Sequence, residues 1–222
     1  MRILPALLAA AAAAVSSAVA APFAVQVGDT RLGLDAPPGF ADTAFTGSPR
    51  LQDLGESLTS ASNRILLFAI SDADLRAFMA GDRGEMKRYM LIAIPKGSEQ
   101  DSLSAGAFAK LAGSSLRDLG ELPPAGTAYP RYLDQQPPGR AALLAELARE
   151  PTVMSILQGS RVPPQRRNDP PTYVLSTTTL LLLRGKALNL SVYSAYETDL
   201  DAEWIRTVTA RWIDEIKRLN AR

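Results

Sequence analysis

The sequence contains no histidine and no cysteine in 222 residues. Without histidine, a Ser-His-Asp or Cys-His catalytic arrangement is impossible, and zinc, copper and haem sites lose their most common ligands. Without cysteine there are no disulfides, so the fold depends on packing alone. The motifs G-x-S-x-G, S-x-x-K and G-x-x-x-x-G-K-[ST] are also absent. We therefore expect no metal and no cofactor, and an enzyme would have to use carboxylates, lysine, tyrosine or serine.

The chain also lacks an excess of charge of either sign. It carries 24 basic and 23 acidic residues, for a formal net charge of +1. A nucleic-acid-binding surface needs a dominant positive charge to neutralise phosphates, so no nucleic-acid partner is expected. With 46% hydrophobic residues, the chain can bury a sizeable core.

The first twenty residues have the pattern of a signal peptide. Met1-Arg2 gives a positive start, residues 3–15 are apolar and rich in alanine, and Ala18-Val19-Ala20 matches the A-x-A cleavage pattern. No later apolar run approaches the ~20 residues that a membrane-spanning helix needs. We therefore predict a signal peptide over residues 1–20, a single domain over residues 21–222 without a transmembrane segment, and a periplasmic or secreted location.

Hydrophobic periodicity in the remaining chain predicts an α+β fold, a mainly antiparallel sheet with helices packed on it. The predicted strands are a hairpin over Phe23–Leu34, central strands at Arg64–Ile70 and Arg88–Ile94, and a meander of Thr152–Val162, Tyr173–Leu183 and Lys186–Tyr196, the last two joined by a tight turn at Arg184-Gly185. The predicted helices begin at Ser48-Pro49 and Ser71, and span Asp101–Leu122 and Arg140–Arg149. In the last strand, Leu188, Leu190 and Val192 should face the core, with Asn189, Ser191 and Tyr193 on a wet or ligand-binding face.

The strongest single pattern is a long C-terminal amphipathic helix, capped by Thr198 or Asp199. Its apolar stripe consists of Ile205, Val208, Trp212, Ile216 and Leu219. On its exposed side, Arg211–Glu215 and Asp214–Arg218 have the i,i+4 spacing of ion pairs. We expect the stripe to lie on the sheet formed by the last strands.

The order of these elements resembles the PsbP-like family, which includes the bacterial DcrB-like envelope proteins. The resemblance lies in the strand pair that runs into Leu34-Asp35-Ala36-Pro37-Pro38-Gly39-Phe40 and in the final hairpin followed by a Trp-bearing helix. It implies an antiparallel sheet between helices and an accessory or binding role without catalysis. It implies no functional residues, because the shared positions are structural.

Two groups of carboxylates are candidates for chemistry. Asp72 with Asp74, and Asp199 and Asp201 with Glu203, could bind Ca²⁺ or Mg²⁺ or serve as a hydrolytic carboxylate pair. Both groups stand at predicted helix starts, where acidic side chains complement the helix dipole. Capping is therefore the favoured interpretation.

The segment Arg161–Pro171 is the most distinctive loop. It places Arg161, Arg166 and Arg167 around two proline pairs, and guanidinium groups bind phosphate or carboxylate in bidentate fashion. The segment is either a recognition loop for an anionic envelope component or acidic partner, or a solvated hairpin tip, which is the interpretation we favour. Tyr193, Tyr196 and Trp204 are possible binding aromatics, although each could instead pack in the core.

These observations favour an exported, non-catalytic binding or accessory protein of the cell envelope, with an envelope protein or small ligand as its partner. The alternatives are a hydrolase that uses Asp72, Asp74, Asp199 or Asp201, and a carrier of a small apolar ligand. A hydrolase should have a cleft where two carboxylates converge, and a carrier should have an apolar cavity of a few hundred Å³. A protein-binding module should instead present an exposed patch.

The signal peptide makes a direct prediction about the mature protein. Because the cleavage pattern ends at Ala20, protein recovered from the envelope fraction should begin at or within a few residues of Ala21. N-terminal sequencing measures this. Folded, soluble protein that retains Met1 would contradict export.

Overall fold

The computed structural model describes residues 22–117, 120–164, 166 and 169–221. The predicted signal peptide, Ala21 and Arg167 lie outside this range. Within it, no helix is long and apolar enough to cross a membrane.

The described residues form nine strands and five α-helices, which confirms the α+β prediction. The strands are β1 (Phe23–Val27), β2 (Thr30–Leu34), β3 (Phe40–Asp42), β4 (Asn63–Ser71), β5 (Arg88–Pro95), β6 (Ala142–Glu150), β7 (Val153–Arg161), β8 (Tyr173–Leu183) and β9 (Lys186–Tyr196). The helices are α1 (Pro49–Ser57), α2 (Asp72–Met79), α3 (Ala105–Arg117), α4 (Tyr129–Leu133) and α5 (Asp199–Leu219). β1 and β2 form a separate hairpin, and the other strands form an antiparallel sheet in the order β3-β4-β5-β9-β8-β7-β6.

The β8–β9 hairpin is the longest element of the sheet. Arg184 and Gly185 form its turn, both with positive φ (49° and 83°), as a two-residue turn that matches the twist of its strands requires. Pairing then runs without interruption from Leu183–Lys186 to Tyr173–Tyr196. Alternate residues therefore face opposite sides of the sheet, and Leu188, Leu190 and Val192 are buried as the sequence predicted.

Helix α5 covers one face of the sheet, and its predicted stripe is confirmed at its centre. Ile205 and Ile216 are completely buried and Trp212 is 2% exposed, all within the main core cluster. The hydroxyl of Thr209 lies 3.0 Å from that of Thr177 on β8, so the one buried hydroxyl of the helix is satisfied by the sheet. On the exposed side, Arg218 pairs with Glu215, three residues before it, rather than with Asp214.

The opposite face of the sheet is covered in two places. Helices α1 and α2 pack over β4 and β5, and α3 packs over the other end, where Phe108 and Ala112 contact Met154. Met79 of α2 and Leu111 of α3 lie outside these contacts, since they are 64% and 42% exposed.

The helix predicted over Arg140–Arg149 is wrong, because this segment is strand β6. Its alanine, leucine, glutamate and arginine residues favour helix, but pairing with β7 overrides this local preference. Two irregularities in the register interrupt the pairing, and Ala142 and Leu144 reach the core. The short elements β3 and α4 carry no periodicity and were not predicted.

Two buried polar side chains hold separate segments together. The ammonium group of Lys186, 1% exposed, donates to the carbonyls of Glu99 (3.1 Å) and Asp101 (3.0 Å) and contacts Asp29 Oδ1 at 3.1 Å. Its three protons therefore each have an acceptor, which is the condition for burying an ammonium group.

Asn220 links the end of α5 to strand β2. Its Oδ1 accepts from the amide of Gly33 at 2.9 Å, and its Nδ2 donates to the carbonyl of Gly33 at 2.8 Å. A side chain at position 33 would meet Leu219 at 3.4 Å, so glycine permits this close approach.

The buried stripe predicts unequal effects of two substitutions in α5. Trp212→Ala removes a buried indole and its hydrogen bond to the Asp35 carbonyl, so it should lower the free energy of unfolding by about 3–5 kcal/mol or leave the protein insoluble. Arg218→Ala removes only an exposed ion pair and should cost less than about 0.5 kcal/mol. Denaturant titration of both variants measures the difference. A Trp212→Ala variant as stable as wild type would contradict the packing described here.

Candidate functional site

Three tyrosines from three elements form a cluster at the end of the β8–β9 hairpin. We call Tyr129, Tyr173 and Tyr196 the tyrosine cluster. The rings of Tyr173 and Tyr196 meet edge to face at 6.5 Å, and that of Tyr129 lies 6.4 Å from Tyr196. All three are half-buried, so each packs on the core and keeps part of its surface exposed.

Charged groups surround the hydroxyls of the tyrosine cluster. Tyr196 donates to Asp199 at 2.6 Å, Tyr173 donates to Asp134 at 2.9 Å, and Arg206 of α5 donates to the hydroxyl of Tyr129. Burial together with the neighbouring carboxylates raises the pKa of both Tyr196 and Tyr173 above the usual range. These two phenols therefore stay protonated and can act as hydrogen-bond donors at any physiological pH.

The loop between β7 and β8 begins and ends at this cluster. Arg161 closes β7, pairs in register with Tyr173, and lies 3.7 Å from Asp134. Its Nε is buried without a hydrogen-bond partner among the described residues. Farther along, Asp169 accepts from the amide of Arg166 at 2.8 Å, which leaves the Arg166 side chain exposed at the tip. Arg161 and Tyr196 thus lie on either side of Tyr173, with which each pairs in register; Arg167 lies outside the described residues.

Trp204 belongs to a second group on the other side of α5, which we call the tryptophan cluster. The guanidinium of Arg88 stacks on the indole, with its carbon 4.0 Å from the ring centroid, and Phe40 lies 6.0 Å away. Arg88 also pairs with Asp201 at 2.8 Å. The first turn of α5 therefore contacts both clusters, through Asp199 at the tyrosine cluster and through Asp201 at the tryptophan cluster.

Tyr193 does not join either cluster. Its ring stacks on that of Tyr89 at 4.5 Å, on the sheet face opposite α5. Alternation along β9 places Tyr193 and Tyr196 on opposite faces, because they are an odd number of residues apart.

The carboxylates at the start of α2 act as structural partners. Ser71 caps the helix, since its hydroxyl accepts from the amide of Asp74 at 3.0 Å. Asp74 in turn accepts from Ser71 Oγ at 2.8 Å and from the amide of Met86 at 3.1 Å. Asp72 occupies the first position of the helix, where a negative charge is favourable.

The carboxylates at the start of α5 are similarly engaged. Asp201 accepts from the amides of Glu197 and Thr198 at 3.0 Å each. Although burial opposes the shift, these two amides and the Arg88 guanidinium lower the pKa of Asp201. The observed contacts match helix capping, and within the described ranges no three acidic side chains converge as metal ligands would.

A cavity of about 650 Å³ runs along the outer edge of β4. Helix α1 and the 3₁₀ turn Thr43–Thr46 form its opposite wall, and Arg64 and Lys96 lie at one end. We call this cavity the β4 groove. Its lining combines acidic, basic and amide side chains with apolar ones such as Leu51, Ile65 and Phe68.

Asp42 is the most unusual residue of the β4 groove. It is 7% exposed, its Oδ1 accepts from the amide of Ala44 at 3.2 Å, and its Oδ2 has no hydrogen-bond partner among the described residues. Burial raises the pKa of this carboxyl, and the backbone amides of Ala44, Phe68 and Thr43 offset the shift only in part. A buried carboxylate oxygen without a donor is costly, so the position favours a ligand that supplies one.

A smaller cavity of about 430 Å³ contains both Asp35 and Asp42, but they do not form a coupled pair. Burial also raises the pKa of Asp35, with a further contribution from Glu215, whereas burial alone raises that of Asp42. A catalytic carboxylate dyad shifts the pKa of one member through the charge of the other. The two residues therefore lack the electrostatic signature of such a dyad.

Sequence reasoning overlooked several residues of these sites. The position of Tyr173 opposite Tyr196 could have been found, because the predicted turn at Arg184-Gly185 is equally far from both. Tyr129 and Asp42 come from the short elements α4 and β3, for which the sequence gives no periodic signal.

No family model matches this chain, and no curated protein matches it. Among solved structures, the chain is similar to the Ran-binding protein Mog1p of Saccharomyces cerevisiae. The two share 12% sequence identity and a TM-score of 0.41, over 91% of this chain and 94% of that one. At this level the likeness says nothing about what the present chain binds.

The buried carboxylate of Asp42 predicts a pH-dependent gain in stability on neutralisation. Burial raises the folded-state pKa of Asp42 above its unfolded value. The protonated side chain therefore contributes its full stability below about pH 4, and this contribution is lost as the pH rises through the folded-state pKa. Asp42→Asn should therefore raise the free energy of unfolding at neutral pH, by about 1 kcal/mol, the low end for relieving an unsatisfied buried group. Near about pH 3, where both forms are neutral, the difference should vanish.

Urea titrations at both pH values measure this change, with Asp53→Asn on the exposed side of α1 as the matched control. A loss of stability at neutral pH, or an equal gain at both pH values, would show that the carboxylate is not destabilised by burial.

Proposed function

We propose that this chain is an exported, non-catalytic binding or accessory protein of the cell envelope, similar in this respect to PsbP-like proteins. We further propose that it contacts a protein partner through the tyrosine cluster and the β7–β8 loop. The observation that supports the proposal best is the position of three half-buried tyrosines beside an arginine-bearing loop.

The composition of this surface suits protein recognition. Tyrosine, tryptophan and arginine are the residues that most often dominate binding energy in protein interfaces, where rigid aromatic rings are anchored by packing. Here the rings rest on the core while their hydroxyls are fixed by Asp134, Asp199 and Arg206. A partner would therefore meet a surface whose side chains are already ordered, which lowers the entropy cost of binding.

The loop indicates the charge of the partner. Arg166 is exposed at its tip, and the buried Nε of Arg161 has no acceptor among the described residues. Carboxylates of the partner would supply acceptors for both guanidinium groups. An acidic face on an envelope protein is therefore the chemistry that fits this surface.

The hydrolase alternative receives less support from the same residues. Asp74, Asp199 and Asp201 each accept hydrogen bonds that hold local structure in place. A general acid or base needs a carboxyl that is available to substrate and has its pKa near the working pH. The lowered pKa of Asp201 is the opposite of that requirement for a general acid.

Site-specific photocrosslinking tests the proposal. A photoreactive amino acid at Val162, which is 36% exposed on the loop, should give a discrete covalent adduct with one protein in intact cells. The same group at Met79, exposed on α2 and outside both clusters, should not. Arg166→Glu in the Val162 variant should weaken adduct formation about tenfold, because it replaces an attractive charge with a repulsive one.

The matched control is Arg31→Glu, an equal charge reversal at an exposed position on β2, near the other end of α5. It should leave the adduct unchanged. Equal adducts from Val162 and Met79, or an equal effect of the two charge reversals, would contradict recognition through this surface.

A further inference from the structure

The β4 groove exposes part of a sheet edge that none of the described strands covers. Strand β3 pairs only with Ala69–Ser71, at the end of β4. The outer edge of Asn63–Phe68 therefore has no strand partner among the described residues, although β5 pairs with its inner edge. Such an edge carries a row of backbone donors and acceptors, and other chains bind to it by adding a strand.

Helix α1 turns this edge into a groove. Gly55 lets the helix approach the sheet closely, since a Cβ there would lie 2.9 Å from the ring of Phe68. The resulting space of about 650 Å³ lies between helix and strand edge. The open edge spans roughly 17 Å at ~3.3 Å per residue, enough for an extended segment of about five residues.

The direction of an added strand follows from β3. An antiparallel segment that continued the line of β3 along β4 would begin beside Asp42 and end near Arg64 and Lys96. It could not extend past Asp42 within the sheet, because β3 already occupies the edge from Ala69 onward. Pairing would therefore begin beside Asp42, and a segment that starts with a chain terminus fits this position without having to turn out of the sheet.

Asp42 has the chemistry to receive such a terminus. Its Oδ2 is buried without a hydrogen-bond partner among the described residues, and Asp42 lines the end of the groove where an antiparallel segment would start. An α-ammonium group supplies both a positive charge and hydrogen-bond donors. At the other end, Lys96, which donates to the carbonyl of Ala61, adds a positive charge that suits an acidic residue of the ligand.

We propose that the β4 groove binds the free amino-terminal segment of a partner protein, which adds to β4 as a short antiparallel strand and places its α-ammonium group against Asp42. A β-bulge between Ile65 and Leu67, in the pairing with β5, increases the local twist of β4, which disfavours edge-to-edge pairing with a second sheet. This groove shares no residue with the tyrosine cluster, so the inference stands independently of the function proposed above.

Peptides with free amino termini provide the probe. Random heptapeptides displayed on phage with their amino termini exposed should yield an enriched sequence on the wild-type protein. The synthetic consensus peptide should shift the backbone amide resonances of Asn63–Phe68 and Ala44 in NMR titrations. Acetylation of its amino group should weaken binding about tenfold or more, because it removes the charge that faces Asp42. Absence of any enriched sequence, or shifts confined to other residues, would overturn the proposal.

Protein variants test the role of Asp42. In Asp42→Asn, the free and acetylated peptides should bind equally weakly, whereas Asp53→Asn, on the exposed side of α1, should retain the wild-type preference for the free amine. Thermal melts of both variants establish that they are folded. A free-amine preference that survives in Asp42→Asn would place the terminus elsewhere and overturn the assignment.

Backbone methylation of the peptide tests strand addition directly. Only alternate amides of an added strand point toward its neighbour, so N-methylation at one position should abolish binding and methylation at the next should be tolerated. Equal binding of both methylated isomers would show that side chains alone are recognised. Equal affinity for n-butylamine would show a site for small amines. Either result would overturn docking by an extended segment.

Discussion

The packing of α5 on the sheet is the interaction on which the other features depend. Trp212 lies at its centre, and the indole N–H donates to the carbonyl of Asp35 at 2.8 Å. That carbonyl lies just after β2, so the helix orders the N-terminal hairpin as well as the sheet. Asn220, at the C-terminal end of α5, also links the helix to the hairpin through its two hydrogen bonds to Gly33 of β2. Since β1 and β2 do not join the seven-stranded sheet, these contacts with α5 take the place of strand pairing.

The β4 groove follows from this arrangement. With Asp35 held against Trp212, the chain turns through Pro37–Gly39 and forms only the three-residue strand β3, which ends at Asp42. Asp42 then accepts from the amide of Ala44 and begins a 3₁₀ turn, which directs the chain over the sheet into α1. A longer β3 would have covered the edge of β4 and left no groove. The short strand, the buried carboxylate and the open edge are thus consequences of one local change in chain direction.

The sequence predicted the elements whose signals are long or chemically specific. The stripe of α5, the cap at Ser71 and the β8–β9 turn each depend on several residues that indicate the same structure. Strand β6 could not be predicted, because its local composition favours helix and only pairing with β7 decides otherwise. The tyrosine cluster was predictable in part, because hairpin geometry places Tyr173 beside Tyr196. Tyr129 was not predictable, because it lies on a five-residue helix that has no periodic signal.

The buried polar side chains fall into two groups, those whose hydrogen bonds are satisfied within the protein and those with an atom that has no partner among the described residues. Lys186, Asn220 and the Thr177–Thr209 pair are all satisfied within the protein, so each stabilises the fold. Among the described residues, three side chains have a buried polar atom without a partner: Asp42, Arg161 and Asn189. Two of the three stand at the binding surfaces proposed here, Asp42 in the β4 groove and Arg161 beside the tyrosine cluster. Their needs are opposite, since Asp42 Oδ2 lacks a donor and Arg161 Nε lacks an acceptor. The two surfaces would therefore select different ligands, one with a free amine and one with an acidic face.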